Sequence, residues 1–295
     1  MKLPDAELRD WLKPVPQRCP PSIGDILIDA GLLDAAAAAR VAEAQHGRGM
    51  RFGEAAVQLR LLKAEDVQYA LARQYEYPYL RPQDSTASRD LVAAFEPFGA
   101  CAEAMRTLRT SLMLQRASSR SRPFSIAVLG AMAGEGRSFV AANLAVVFSQ
   151  MGQRTLLIDA DLRAPRQHTL FKLPPQLGLS NLLLGRSGTE CIAPLHDFHG
   201  LSILVAGALP PNPQELLGRA RLGTLLEQAA VAFDVVIVDT PAAGRFADAQ
   251  IVATHCGMGV LVARRHSSDV GQLRRVHRTM VELGVPLAGT VLNDA

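Results

Sequence analysis

The stretch 124-FSIAVLGAMAGEGRSFVAANLA-145 decides how this chain folds. Its first part, 124-FSIAVLG-130, is a short apolar run with the composition of a buried strand. A loop of small residues, 130-GAMAGEG-136, follows directly, and Ser138 then opens an apolar helical run. Strand, small-residue loop and helix N-terminus together make a place where backbone N–H groups and the helix dipole point at an anion. Gly134 and Gly136 permit close backbone approach, and the Ser138 hydroxyl stands where a phosphate loop presents one to Mg²⁺. The usual phosphate-loop pattern is Gly, four residues, Gly, Lys, then Ser or Thr. Here Ala131 and Arg137 occupy the positions of the first glycine and the lysine.

Working outward, further apolar runs recur: 155-TLLIDAD-161, 201-LSILVAG-207, 233-FDVVIVD-239, 257-GMGVLVA-263 and 287-LAGTVLN-293. Between them lie helical stretches such as 138-SFVAANLAVVFSQMG-152, 213-PQELLGRARLGTLLEQAA-230 and 269-DVGQLRRVHRTMVELG-284. Apolar strands alternating with helices predict an α/β fold of the P-loop type, a mainly parallel sheet covered by helices on both faces. Ligands of such sheets sit at the carboxyl ends of the strands. Two of those ends carry acids: Asp159 and Asp161 after one strand, Asp239 after another. Buried strands rarely finish in carboxylates unless something compensates the charge. Three acids beside a phosphate loop predict a site for Mg²⁺ and a nucleotide.

Ahead of this region stands an internal repeat. Residues 22-SIGDILIDAGLLDAAAAARVAEAQ-45 and 51-RFGEAAVQLRLLKAEDVQYALARQ-74 align at a constant offset, Gly24 with Gly53, Leu33 with Leu62 and Gln45 with Gln74. Each copy predicts a short helix, a turn and a second amphipathic helix, with Arg60 standing where the first copy has Gly31. The expected organisation is a tail over 1–20, a small helical repeat domain over 21–80, a polar linker over 81–100, and the α/β domain over 101–295. The tyrosines of 74-QYEYPYL-80 are expected to pack against the repeat helices.

A net charge of +3 on 295 residues does not suggest a nucleic-acid partner. The basic runs 274-RRVHR-278 and 116-RASSRSR-122 lack interleaved aromatics and read as solvated faces. Four scattered cysteines without CxxC spacing indicate reduced, cytosolic chemistry. The first residues, 1-MKLPDAELRDWLKPVPQ-17, have no apolar core of a signal peptide. No apolar run reaches the ~18 residues of a membrane span, so a soluble protein is expected.

The segments 134-GEGRSFVAANLA-145, 156-LLIDADLRAPRQH-168, 207-GALPPNPQELL-217, 233-FDVVIVDTPA-242 and 289-GTVLN-293 resemble the bacterial protein-tyrosine kinases of polysaccharide export. Within these, the chain is similar to the chain-length-determinant tyrosine kinases of the EpsG type over about residues 101–295. Residues 21–80 resemble the N-terminal domain of type II secretion and pilus ATPases, a module associated with cyclic di-GMP. The resemblance implies ATP and Mg²⁺ as cofactors and phosphoryl transfer to tyrosine in exopolysaccharide assembly and chain-length control. It places Ala133, Gly134, Glu135, Gly136, Arg137, Ser138 and Phe139 around the nucleotide phosphates and Asn293 at the adenine. It gives Ser138, Asp161 and Asp239 to Mg²⁺ and makes Asp159 the base that takes the acceptor's proton; Arg137 joins the three aspartates as the catalytic set. Glu103, Arg106 and Arg109 match an E-x-x-R-x-x-R element of ring assembly. The implied partners are a membrane polysaccharide co-polymerase and other copies of the chain, with the protein cytoplasmic and peripheral to the inner membrane through that partner.

Two departures qualify this. Arg137 keeps the charge of the lysine, but a planar, forked guanidinium is not a point charge, so ATP binding with slow chemistry is expected. The C-terminal tyrosine cluster usual in the family does not appear before 291-VLNDA-295; the tyrosines are Tyr69, Tyr75, Tyr77 and Tyr79. Both departures leave open a nucleotide-binding regulator that docks on the co-polymerase and senses cyclic di-GMP. A positioning ATPase of the cell-division class shares the fold, but its second loop lysine is replaced here by Met132. In the repeat, Arg51 opens the second copy and Ser22 the first, which favours protein docking over cyclic di-GMP there.

Overall fold

The computed structural model describes residues 21–75, 77–81, 85, 87–118, 124–174 and 176–294. The expected tail over 1–20, Cys19 included, lies outside them, as does most of 116-RASSRSR-122. The chain divides into two compact units, Met1–Tyr77 and Pro78–Ala295.

In the first unit each repeat forms a short helix and a longer one: α1 (Ile23–Asp29) and α2 (Ala35–Arg48), then α3 (Phe52–Gln58) and α4 (Ala64–Gln74). Ser22 caps α1 through its side chain, while the Asp25 carboxylate accepts from the Ser22 backbone N–H at 3.1 Å. The second copy keeps half of this device, Glu54 accepting from the Arg51 backbone N–H at 3.1 Å. The core is small and rich in alanine: Leu27, Val41, Ala55, Ala56 and Ala70 are fully buried or nearly so. Tyr75 corrects the packing expectation, because it is 73 % exposed at the C-cap of α4. Tyr69 lies under the Arg73 guanidinium at 5.8 Å.

The second unit contains α5 (Val92–Phe95), α6 (Ala100–Ser118), β1 (Ser125–Gly130), α7 (Arg137–Ser149), β2 (Thr155–Asp159) and α8 (Gln167–Leu170). There follow α9 (Leu179–Leu183), β3 (Ala193–Pro194), β4 (Leu201–Leu204), α10 (Pro213–Leu217), α11 (Ala220–Ala232) and β5 (Val235–Asp239). The chain closes with α12 (Asp248–Thr254), β6 (Met258–Arg264), α13 (Val270–Glu282) and β7 (Leu287–Asn293). The strands form one seven-stranded sheet in the order β3-β4-β2-β5-β1-β6-β7. Every pairing is parallel except β3 with β4.

Both faces are covered. Ile126 and Val128 of β1 join a core with Val140 and Leu144 of α7 and Leu112 of α6. Ala127 and Leu129, pointing the other way, pack with Leu222, Val252, Val276 and Met280 of α11, α12 and α13. That is why the strands read as continuous apolar runs. On α13 the residues Arg274, Arg275, His277 and Arg278 are exposed and Val276 is buried, the arrangement of a solvated helix face.

The expected linker needs correction. Leu91, Ala93, Ala94 and Phe95 are buried in the same core as α7. Asn143, fully buried in α7, holds this segment: its Oδ1 accepts from Ala93 N at 2.9 Å and its Nδ2 donates to Asp90 O at 2.8 Å. Residues 87–95 are therefore part of the α/β unit. Among the described residues no helix is long and apolar enough to cross a membrane.

Candidate active site

The phosphate loop joins β1 to α7, and its shape follows from its glycines. Gly134 and Gly136 sit at φ of 83° and 94°, the left-handed region that glycine enters without penalty. At Gly136 a side chain would also collide with the Asn293 amide, 2.1 Å from an added Cβ. Asn293 Nδ2 donates to the Glu135 carbonyl at 3.1 Å, so the end of β7 braces the loop from one side.

Glu135 is buried, and its side chain serves the loop rather than a ligand. One oxygen accepts from Met132 N at 2.9 Å and the other from Ser268 Oγ at 2.5 Å. Arg137 is 8 % exposed and is likewise engaged by protein. Its Nε donates to Thr240 O at 3.0 Å, its Nη1 donates to Met132 O, and Glu135 lies 3.6 Å away. The guanidinium ties the loop to the end of β5 and also lines the cavity, where it was expected to meet phosphate. Phe139 packs toward the core.

The carboxylates converge because β2 and β5 are neighbours in register, Asp159 opposite Asp239. Asp159 is fully buried. Its oxygens accept from three backbone N–H groups, those of Asp161 (3.2 Å), Arg166 (3.1 Å) and Gln167 (3.0 Å). Burial and the adjacent Asp239 charge hold its carboxyl well above the ordinary range. Burial likewise pushes Asp239 up to about 6, against the pull of the Gln167 amide. Asp161 is the acid that lines the cavity, its Oδ1 accepting from Arg163 N and Ala164 N.

Gln167, which no sequence motif signals, ties these parts together. Its Nε2 donates to Asp239 Oδ2 at 2.8 Å and to Ser138 O at 3.1 Å. Asp239 Oδ1, fully buried, has no hydrogen-bond partner among the described residues. A buried carboxylate oxygen beside the Ser138 hydroxyl and Asp161 fits a hydrated cation. Among the described residues no three His, Cys, Asp or Glu side chains form a metal cage by themselves. A cation here would be held by the Ser138 hydroxyl and these carboxylates, directly or through water, a manner suited to Mg²⁺.

A cavity of about 540 Å³ opens above these groups. Ala133, Gly134, Gly136, Arg137 and Ser138 line it on the loop side, and Asp161, Arg163, Arg166, Arg245 and Phe246 on the β2 and β5 side. Glu103, Arg106 and Arg109 lie elsewhere, on α6. There Arg106 pairs with Glu103 at 2.6 Å and donates to Pro97 O at 2.5 Å, and Arg109 donates to Val147 O at 2.7 Å.

A glycine-shaped loop between strand and helix, with acids at the neighbouring strand ends, defines a P-loop nucleotide-binding protein. Tyrosine-protein kinase YwqD of Bacillus subtilis (strain 168) is 37 % identical over 209 residues, covering 71 % of this chain and 87 % of YwqD. Tyrosine-protein kinase etk of Escherichia coli (strain K12) is 34 % identical over 208 residues, which are 70 % of this chain and 28 % of etk. The solved kinase domain of Escherichia coli ETK superposes with a TM-score of 0.66 at 34 % identity, covering 73 % of this chain and 84 % of that one. The chimerical protein CapA2B2 gives 0.65 at 31 % identity, covering 76 % and 97 %. No protein-family model matches the chain. The chain belongs to the bacterial tyrosine-protein kinases, ATP-dependent enzymes built on a P-loop fold.

Proposed function

We propose that the protein transfers the γ-phosphoryl group of Mg-ATP to a tyrosine hydroxyl in exopolysaccharide assembly. The observation that carries this is the in-register Asp159–Asp239 pair beside the phosphate loop, with Asp239 Oδ1 left without a partner. Bound Mg²⁺ would neutralise phosphate charge and orient the phosphoryl group. The loop N–H groups from Gly134 to Gly136 hold the phosphates, and Ser138, Asp161 and Asp239 hold the cation. Asp159, opposite Asp239 at the end of β2, accepts the phenolic proton, the role the family resemblance implies. Arg137 braces the loop against the end of β5 at the cavity's edge, and Asn293 stands on the adenine side.

The test is incubation of the full chain with Mg-ATP and a tyrosine-containing acceptor, reading phosphotyrosine by mass spectrometry. Asp159→Asn should abolish transfer while calorimetry still finds nucleotide bound. Transfer at the native rate would remove Asp159 from the base role.

The reading extends to partners. A membrane polysaccharide co-polymerase is the docking partner that the family resemblance supports. Glu103, Arg106 and Arg109 mark the face for self-association; Glu103, the exposed end of its pair with Arg106, is probed by Glu103→Arg, scored by light scattering. The helical repeat unit serves docking, and titration with cyclic di-GMP, repeated in Arg51→Ala, is the check on that preference.

A further inference from the structure

The sheet order gives the phosphate loop two different sides. Asn293, ending β7, lies beyond β6 on one side of β1 and its phosphate loop; β5 and β2, with Asp159, Asp161 and Asp239, lie on the other. The wall on the carboxylate side is built by the segments that follow β2 and β5. Arg163 grips the fully buried Asp248 with two bonds, Nε to Oδ2 at 2.7 Å and Nη2 to Oδ1 at 3.1 Å. So fixed, its guanidinium covers the Phe246 ring at 3.6 Å from the centroid. Phe246 is nevertheless 40 % exposed and lines the cavity. Beside it Arg166 and Arg245 also line the cavity, both exposed and neither in an ion pair among the described residues.

Phe246 thus offers the cavity a part-open aromatic ring held in place by a fixed guanidinium. A flat ring is what it fits. Phe246 shares the cavity lining with Asp161, and on the kinase reading the acceptor hydroxyl comes to this carboxylate side while the nucleotide base goes to the Asn293 side of the loop. Two uncommitted guanidiniums next to it would attract carboxylates flanking that ring. We propose that Phe246, held by Arg163 and Asp248, seats the acceptor tyrosine ring, and that Arg166 and Arg245 select acceptors in acidic sequence. This rests on the tyrosine-kinase reading.

The experiment is steady-state kinetics of the full chain with Mg-ATP and two matched tyrosine peptides, one flanked by glutamates and one by lysines. Native protein should favour the glutamate peptide. Phe246→Ala should raise KM for that peptide by about tenfold, the loss of one aromatic stacking contact, with KM for ATP unchanged and Phe246→Tyr restoring it. The double change Arg166→Glu with Arg245→Glu should shift preference to the lysine peptide. A rise in KM for ATP alone in Phe246→Ala would put the nucleotide base on the ring and overturn the proposal. Equal use of the two peptides by the native protein would remove the charge selection. Failure of the native protein to label either peptide would sink the kinase reading itself and the proposal with it.

Discussion

Arg137 shows how one residue can satisfy a motif's charge and still do different work. Its stem passes over Gly130, where an added Cβ would meet the Arg137 Cδ at 3.0 Å. Its donors end on the carbonyls of Thr240 and Met132. A lysine offers a single ammonium in place of that fork. Arg137→Ala should therefore destabilise the nucleotide-free protein by about 1–3 kcal/mol, since the Thr240 and Met132 carbonyls lose their donors and the buried Glu135 loses its nearest cation. Thermal melting without ligand reads this directly. An unchanged midpoint would mean the strut carries no load and would return Arg137 to the phosphates.

Asp239 makes the opposite case at the same scale, a residue retained at a cost to stability. Its carboxyl titrates near 6 in the fold against a reference of 3.8. Between those values the folded state holds a proton that the unfolded state has released, so stability falls as pH rises through the window and is flat above it. Asp239→Asn should stabilise the ligand-free protein by about 1–3 kcal/mol above pH 6 and by nothing below pH 3.8. Urea unfolding at pH 8 and at the acid limit checks both ends. A variant less stable than native at pH 8 would show that the carboxylate is already compensated.

At the scale of elements, the strand–loop–helix unit was legible because each part declares itself locally, by an apolar run, small residues and a hydroxyl at the helix start. The carboxylates were legible because strand ends are. Gln167 and the Arg163–Asp248–Phe246 wall were not. Arg163 and Asp248 are 85 positions apart and meet only because β2 and β5 are neighbours, a fact of sheet order that no spacing encodes. The buried segment 87–95 was misread for a related reason: its four-residue helix is too short to show a period, and its anchor, Asn143, lies in another helix. The repeat, by contrast, transferred to the backbone. Gly31 and Arg60, equivalent in the two copies, both turn with positive φ, at 67° and 55°. The space around a Cβ at Gly31 is empty within 4 Å, so a substitution there tests the backbone alone. Arg60→Gly should stabilise the repeat by about 0.5–1 kcal/mol and Gly31→Ala destabilise it by about 1 kcal/mol. Helical circular dichroism against denaturant distinguishes the signs; two neutral changes would mean that these turns are not strained.

At the scale of the whole chain, the two units differ in what they can bury. The repeat unit has a core of Leu27, Leu33, Val41, Leu62 and four alanines, whereas the α/β unit has two apolar layers around a central sheet. Apolar burial scales with area, and a unit of about 60 residues is marginal on its own. Only the α/β unit carries the nucleotide site, so only its unfolding should respond to Mg-ATP by mass action. Calorimetry of the full chain is therefore expected to show two transitions. Leu27→Ala, which removes about 2–4 kcal/mol of buried packing, should lower the first and leave the second in place. Mg-ATP should raise the second and leave the first. A single transition that moves with both the substitution and the nucleotide would show that the units unfold as one.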